Sequence, residues 1–371
     1  MYNKIKHIDF YLIIFVLLSC LMGIALTMSL VYNSSYQNIT SGISSSLWLV
    51  KAFGLAIGGC LLVVLSLLGI DKIIKFWIPI SILGVAFTCL TFTPLGIGPA
   101  GSDDKAWISI LGRTIQPSEI LKLCFIISFS VHISKIKSKI NNPLVVMGLL
   151  GHIAVPFLIC FFQGDQGTGV IFLAIGFVMI IGAGIHWGYI LTGLACSPLI
   201  LYLSWNYFLQ EHQKERILVL FNPEYDPYGT GYQQIQGIKA LRSGGMWGKG
   251  LFSGDSTEFL YVSEAQNDFI FSYAGQTLGF VGCVAIVLML GAICIRLLIN
   301  SRKCSVAGSC ICIGVFGLIF SHTLINIGMV LGFMPVIGVP LPFISAGGTA
   351  MVSMLTAIGL AESALKCSKE Q

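Results

Sequence analysis

The sequence predicts an all-α, polytopic integral membrane protein with about ten transmembrane helices and a large extracytoplasmic loop between spans 7 and 8. The first observation is composition: 56% of the 371 residues are hydrophobic and only 10% are charged, whereas soluble domains carry roughly a quarter charged residues. The second is that apolar runs near the about 20 residues needed to cross a bilayer recur along the whole chain. The third is that Lys and Arg concentrate in alternate connections between these runs.

The ten predicted spans follow one another without a second domain, so residues 1–371 form a single transmembrane domain. The fourth run is short, and only the turn-like AGIHWG separates the sixth run from the seventh, so the count depends on these two assignments. Residues 209–268 form the large loop. The runs are 10–31, 48–70, 76–94, 119–134, 143–162, 167–185, 187–208, 269–297, 304–332 and 346–365.

The basic residues predict the orientation. In a ten-span arrangement those of the short connections and tails fall on one side, which is the cytoplasmic side by the positive-inside rule. An even number of spans then places both termini in the cytoplasm. The net charge of +5 is explained by attraction to anionic lipid and gives no reason to expect nucleic acid. These residues are Lys4, Lys6, Lys72, Lys75, Lys135, Lys137, Lys139, Arg296, Arg302, Lys303, Lys366 and Lys369.

The twelve cysteines all fall in predicted spans or on the cytoplasmic side. They therefore cannot form a disulfide framework in the exported loops. The histidines lack the spacing of a zinc site. Most acidic residues fall on or near the outer face, so chemistry is expected there.

Two outer segments carry the unusual sequence, 98–123 and 209–268. In the second, aromatic residues alternate with turns, and GYQQIQGIKALRSGG has apolar residues at helical spacing. This pattern predicts a short amphipathic helix at the membrane surface. A surface helix followed by glycines suits a lipid-linked substrate.

Asp268 stands directly before a long apolar run. A carboxylate partly withdrawn from water becomes a stronger base, so Asp268 could accept a proton from a hydroxyl group or hold a divalent cation. The alternative is that it caps the helix predicted to begin at Phe269. The two roles are compatible.

Three further charged positions are candidates for binding substrate. Arg113 can contact a pyrophosphate with two hydrogen bonds, or a lipid headgroup. Lys249 lies in GGMWGKG, where glycines let backbone amides approach an anion. Asp165, in QGDQGTG, is either a functional ionisable group at membrane depth or the N-cap of the sixth span.

Glu119 and Lys122 in QPSEILK are i, i+3 neighbours, which predicts a structural ion pair, with a direct substrate role as the alternative. His322 and Asn326 share a helix face and are expected to form interhelical hydrogen bonds. The segment GFMPVIGVPLPFISAGG is too rich in proline for a regular helix. Such backbone is tolerated at membrane depth where it lines a cavity, so Ser345 and Gly347 are predicted to lie near a substrate groove.

Four stretches in this order resemble the SEDS family of cell-wall polymerases over nearly the whole chain: LVLFNPEYDPYGTGYQ, RSGGMWGKGL, the Asp268 motif and NIGMVLGFMPVIGVPLPFISAGGTAM. The NPE-x-DP-x-G-x-GY form, the early IDF and the short tails look more like RodA, the elongation type, than FtsW, the division type.

The resemblance implies a peptidoglycan glycosyltransferase that polymerises lipid II at the outer face of the bacterial inner membrane during cell elongation. The 4-hydroxyl of the acceptor GlcNAc would attack C1 of the donor MurNAc, and Asp268 matches the aspartate regarded as catalytic in the family. A divalent cation (Mg or Mn) could assist. The implied partners are a class B penicillin-binding protein, the elongation machinery and membrane lipids.

The chain departs from the family at Gln266-Asn267, Gln276-Thr277 and Ala346, which weakens a role for an auxiliary carboxylate or a tyrosine hydroxyl. Three alternatives stay open: a flippase of the lipid-linked precursor, a scaffold for the transpeptidase, and an FtsW-like division polymerase.

Overall fold

The computed structural model describes residues 8–36, 46–98, 104–110, 113–222, 225–226, 229–253 and 266–366. Within these residues the chain is almost entirely helical, which confirms the predicted fold class. Ten helices follow the ten predicted spans in order. They are α1 (Phe10–Tyr36), α2 (Leu47–Leu67), α4 (Trp77–Cys89), α5 (Pro117–Ile136), α6 (Pro143–Phe162), α7 (Gln166–Gly182), α8 (Trp187–Leu203), α11 (Ile270–Ser301), α12 (Val306–Val330) and α13 (Gly348–Lys366).

Among the described residues, three other α-helices lie between the spans. Helix α10 (Thr230–Ser243) is the amphipathic helix predicted from its apolar spacing, while α3 (Ile70–Lys75) and α9 (Glu211–Phe221) were not predicted. Seven helices in the described residues are long and apolar enough to cross a membrane, and α4 and α7 belong to shorter apolar helices. The count of ten spans therefore stays a prediction.

The boundary between α7 and α8 confirms the predicted break at AGIHWG. Gly184 adopts φ +87°, a conformation that favours glycine and reverses the chain. His186 then caps α8, because its Nδ1 accepts a hydrogen bond from the Gly188 amide at 3.1 Å. These two local features end one helix and start the next within a few residues.

A polar cluster joins the start of α1 to the ends of α11 and α13. The Asp9 carboxylate accepts hydrogen bonds from Arg296 at 2.8 Å and from Asn300 at 2.7 Å. The Asp9 amide donates to the buried Glu362 carboxylate at 3.0 Å. These three helix ends therefore lie together, as the ten-span arrangement requires of the predicted cytoplasmic side.

A small antiparallel sheet follows α4. It comprises β1 (Gly96–Ile97), β2 (Trp107–Ile110) and β3 (Arg113–Ile115), paired in the order β1-β2-β3. The sequence did not predict it, because strands of two to four residues are too short for a readable alternation of polar and apolar side chains. The sheet leads directly into α5, which begins at Pro117.

Helix α11 is kinked at Gly279, where φ is 68° and ψ is −169°. At 1.5 Å per residue a 32-residue helix would be about 48 Å long, well beyond a bilayer core of about 30 Å. The kink leaves amide and carbonyl groups of α11 without partners in the helix, and the backbone of the glycine-rich segment 244–250 forms hydrogen bonds with them. The four bonds run from Lys249 N to Gln276 O (2.9 Å), Gly250 N to Thr277 O (2.9 Å), Phe280 N to Gly245 O (2.9 Å) and Val281 N to Met246 O (3.2 Å).

We expect Gly279→Ala to lower the free energy of unfolding by at least about 1–3 kcal/mol, the cost of a strained backbone. The added Cβ would also lie 2.4 Å from the Gly248 amide nitrogen. Gly291→Ala is the matched control on the same helix, since nothing lies within 4 Å of its added Cβ. Denaturant unfolding in detergent measures both. Equal stability of the two variants would contradict the need for glycine at the kink.

Candidate active site

Asp268 lies half-buried in a turn at residues 266–269, immediately before α11. The helix begins at Ile270, and its N-cap residue is Phe269, which makes no side-chain cap bond. The prediction that Asp268 caps this helix is therefore wrong. The turn moves the helix start by one residue, so the carboxylate lies outside the capping position.

The Asp268 turn is held by the segment 333–347, here called the proline loop. The Ser345 hydroxyl donates to the Asn267 carbonyl at 2.6 Å, and the Ala346 amide donates to the Gln266 carbonyl at 3.0 Å. Ser345 also accepts a hydrogen bond from the Leu341 amide at 2.7 Å. The buried Ser345 hydroxyl, predicted to lie near substrate, is thus used within the protein to hold the turn.

Asn326 joins the same turn to α12. Its Nδ2 donates to the Asp268 carbonyl at 2.8 Å and to the Val339 carbonyl at 2.7 Å. A Cβ added at Gly338 would lie 3.4 Å from Asp268 Oδ2, so the carboxylate lies beside backbone that carries no side chain. The backbone of Asp268 is therefore held by hydrogen bonds, while one of its carboxylate oxygens lies beside Gly338.

Glu119 and Lys122 form a buried ion pair of 2.7 Å, with 4% and 1% of their side chains exposed. Lys122 Nζ also lies 3.1 Å from His322 Nε2. Because an ammonium group only donates, Nε2 must accept, and the His322 proton is on Nδ1. This Nδ1 lies 3.1 Å from the Pro340 carbonyl. The pair expected from i, i+3 spacing therefore connects α5 to α12 and the proline loop.

Asp165 caps α7. One carboxylate oxygen accepts from the Thr168 amide at 3.0 Å, and the other accepts from Gln116 Nε2 at 2.7 Å. Both oxygens therefore have partners within the protein. The sequence left two roles open for Asp165, and the structure shows the helix cap. Asp165 also contacts Gln116 at the start of α5.

The predicted anion site at Lys249 needs a correction. The amides of Lys249 and Gly250 donate to carbonyls of α11 at the Gly279 kink. They are consumed by the helix break and cannot receive an anion. Arg113 begins β3, but its side chain lies outside the described residues. Gly347 precedes α13, and its carbonyl accepts a hydrogen bond from the Met351 amide at 3.0 Å.

An apolar groove of about 850 Å³ lies between α2, α5 and α13. Gln116 and Glu119 are among its polar lining residues, and Gly348 and Thr349, next to Gly347, form part of its wall. A second apolar groove of about 420 Å³ lies between α10, α11 and α12 and includes Arg242 in its lining. Both grooves have the shape and polarity that a lipid chain requires.

Lys51 is the site residue that sequence reasoning missed. It is fully buried in α2, next to Val50, which lines the larger groove. Its signal was present in the sequence, since it is the one charged residue within the predicted span 48–70. Charged side chains inside spans are rare and usually functional.

These features define a class of protein. It is a polytopic membrane protein in which the Asp268 turn is hydrogen-bonded to the proline loop, and apolar grooves lie between neighbouring helices. The chain belongs to the FtsW, RodA and SpoVE family of cell cycle proteins, whose family model matches residues 10–370. The family predicted from the motifs is therefore confirmed.

Individual relatives agree with this assignment. The chain is 29% identical over 266 residues to the peptidoglycan glycosyltransferase MrdB of Escherichia coli K12, covering 71% of each chain. It is 34% identical over 273 residues to the stage V sporulation protein E of Bacillus subtilis, covering 71% of this chain and 72% of that one. A chain of a solved peptidoglycan synthase complex, described as coordinating polymerization and crosslinking, matches with a TM-score of 0.80 at 22% identity, covering 98% and 99%. The last match supports the fold.

Proposed function

We propose that this protein polymerises lipid II into glycan strands at the outer face of the bacterial inner membrane during cell elongation, with Asp268 as the base. The enzyme class predicted from the sequence is confirmed by relatives that are named peptidoglycan glycosyltransferases. The observation that supports the role of Asp268 as the base is that hydrogen bonds hold the turn in which it lies. Three contacts, from Asn326, Ser345 and Ala346, hold the backbone of residues 266–268.

In the proposed reaction the 4-hydroxyl of the acceptor GlcNAc attacks C1 of the donor MurNAc, and the undecaprenyl pyrophosphate leaves. Asp268 accepts the hydroxyl proton as the new glycosidic bond forms. A fixed backbone favours this step, because a base works only within hydrogen-bond reach of the proton that it removes. The glycine at position 338 keeps side chains away from one side of the carboxylate.

A divalent cation (Mg or Mn) fits this site only with help from the substrate. Within the described ranges no group of three or more His, Cys, Asp or Glu side chains could hold a metal ion. Mg²⁺ commonly takes one or two carboxylates and completes its shell with water and substrate phosphates. Asp268 is the residue that would hold it, with the buried Asn326 Oδ1, which has no hydrogen-bond partner, as the nearby amide oxygen. When bound, the cation would neutralise charge on the leaving pyrophosphate.

The larger groove between α2, α5 and α13 is proposed to take an isoprenoid chain of lipid II. Its lining is mainly apolar, and Gln116 and Glu119 are among the polar residues that interrupt it. The side chains of Arg113 and Lys249 remain proposed contacts for pyrophosphate, through charge rather than through the Lys249 amide. Gly347 is proposed to lie next to the substrate, since the following residue, Gly348, lines the groove.

The proposed partner is a class B penicillin-binding protein that crosslinks the new strands, together with the elongation machinery and membrane lipids. The family resemblance supports this, as does the similar chain found in a peptidoglycan synthase complex. Both termini are proposed to be cytoplasmic, in agreement with the distribution of Lys and Arg. The hydrogen bonds of Asp9, which bring the start of α1 next to the ends of α11 and α13, also support this proposal.

Incubating the purified protein with labelled lipid II tests the function, with and without the penicillin-binding partner and with Mg²⁺, Mn²⁺ or a chelator. We expect glycan polymers on a gel. The same protein in liposomes should be assayed for lipid II translocation. Translocation without any polymer under all conditions would contradict the proposal and favour the flippase.

A further inference from the structure

Lys51 is a fully buried lysine near the Asp268 turn that the proposed chemistry does not use. Its Nζ donates to the Ile344 carbonyl in the proline loop and lies 3.4 Å from the Thr27 hydroxyl of α1. Within the described part of the chain, no carboxylate forms an ion pair with it. Burying the polar end of a lysine side chain is costly unless it is hydrogen-bonded, and the bond to the Ile344 carbonyl offsets part of this cost.

The carbonyl that Lys51 binds belongs to a strained turn. Phe343 has φ 63°, and among the described residues it is the only non-glycine residue with a positive φ. Aromatic residues rarely adopt this conformation, and it persists only where surrounding contacts impose it. Lys51 supplies such a contact at the very next residue, Ile344.

Helix α1 is shaped to admit this contact. A Cβ added at Gly23 would lie 2.4 Å from Lys51 Nζ and 2.6 Å from the Phe343 carbonyl oxygen. The absence of a side chain at Gly23 therefore lets Lys51 Nζ and the strained turn meet against α1.

The residues that follow Ile344 hold the candidate base. Ser345 and Ala346 donate to the carbonyls of Asn267 and Gln266, directly before Asp268. We infer that Lys51 is a positioning residue, whose Nζ hydrogen bond holds the strained turn so that the proline loop fixes the Asp268 backbone. This inference rests on the proposed function. A direct substrate contact is not its role, because the side chain is fully buried and lines neither groove.

The test compares Lys51→Met, which keeps the length of the side chain but has no donor, with Lys51→Gln, which keeps an N–H donor without the charge. In the lipid II assay we expect Lys51→Met to lower kcat at least tenfold with KM within twofold of wild type. The kcat of Lys51→Gln should be at least threefold higher than that of Lys51→Met. Lys366→Met is the matched control, because Lys366 also donates to a backbone carbonyl of α2, that of Leu67 at 2.6 Å, at the opposite end of the helix. Its kcat should stay at the wild-type value.

Gly23→Ala provides a second test of the same contact if Lys51→Met fails to fold, since the added methyl group displaces Lys51 Nζ. It should lower kcat with KM retained, while Gly59→Ala, whose Cβ meets nothing within 4 Å, should not. A kcat above half of wild type in Lys51→Met, equal activity of the Met and Gln variants, or a raised KM with normal kcat would each overturn the inference. Absence of polymer from the wild-type protein would instead refute the proposed function.

Discussion

Asp268→Asn is expected to lower the rate of lipid II polymerisation at least about 100-fold, the range that removal of a general base produces. The substitution keeps the shape of the side chain and removes its basicity. The contacts that hold this turn involve the carbonyls of Gln266, Asn267 and Asp268, so the backbone should stay in place. Polymer length and rate on gels measure the effect.

The control for this variant is Glu211→Gln, which removes another carboxylate of the large loop. Glu211 is 84% exposed, and among the described residues its ion-pair partner is Lys214, in a surface contact of 2.9 Å. Its loss should change the rate less than twofold, and the thermal stability of both variants should stay near wild type. Polymerisation by Asp268→Asn at the wild-type rate would exclude Asp268 as the base.

Lys122→Met is expected to lower the free energy of unfolding by about 3–5 kcal/mol, the usual cost of leaving one partner of a buried ion pair uncompensated. Glu119 would keep a buried negative charge, and its Oε2 already has no hydrogen-bond partner. His322 would also lose the donor to its Nε2. Denaturant titration in detergent measures the change.

The double variant Glu119→Leu/Lys122→Met separates the two roles left open for this pair. Removing both charges should restore most of the stability, because apolar side chains of similar volume often replace a buried pair without loss. Polymerase activity restored together with stability would establish a structural pair, whereas stability restored without activity would establish a substrate role. Wild-type stability of Lys122→Met alone would contradict the energetic account.

Local features of the sequence were sufficient for the membrane class, the ten helices and α10. Each rests on residues within one helix or one span, where composition and apolar spacing act directly. The i, i+3 spacing of Glu119 and Lys122 belongs to the same group, as does the break before His186. The family motifs located Asp268 as the candidate base.

Only the tertiary structure decided how that base is held. Ser345 and Asn267 lie 78 residues apart in the chain, and Lys51 and Ile344 lie 293 apart, so no local pattern relates them. The same holds for the Gly279 kink, where the Gln276 carbonyl of α11 accepts the hydrogen bond of the Lys249 amide, which the sequence had suggested for an anion. Periodicity and composition predict the environment of a single helix, because they depend on neighbouring residues in the sequence. Backbone hydrogen bonds between distant segments form only when the chain has folded, so the sequence pattern does not predict them.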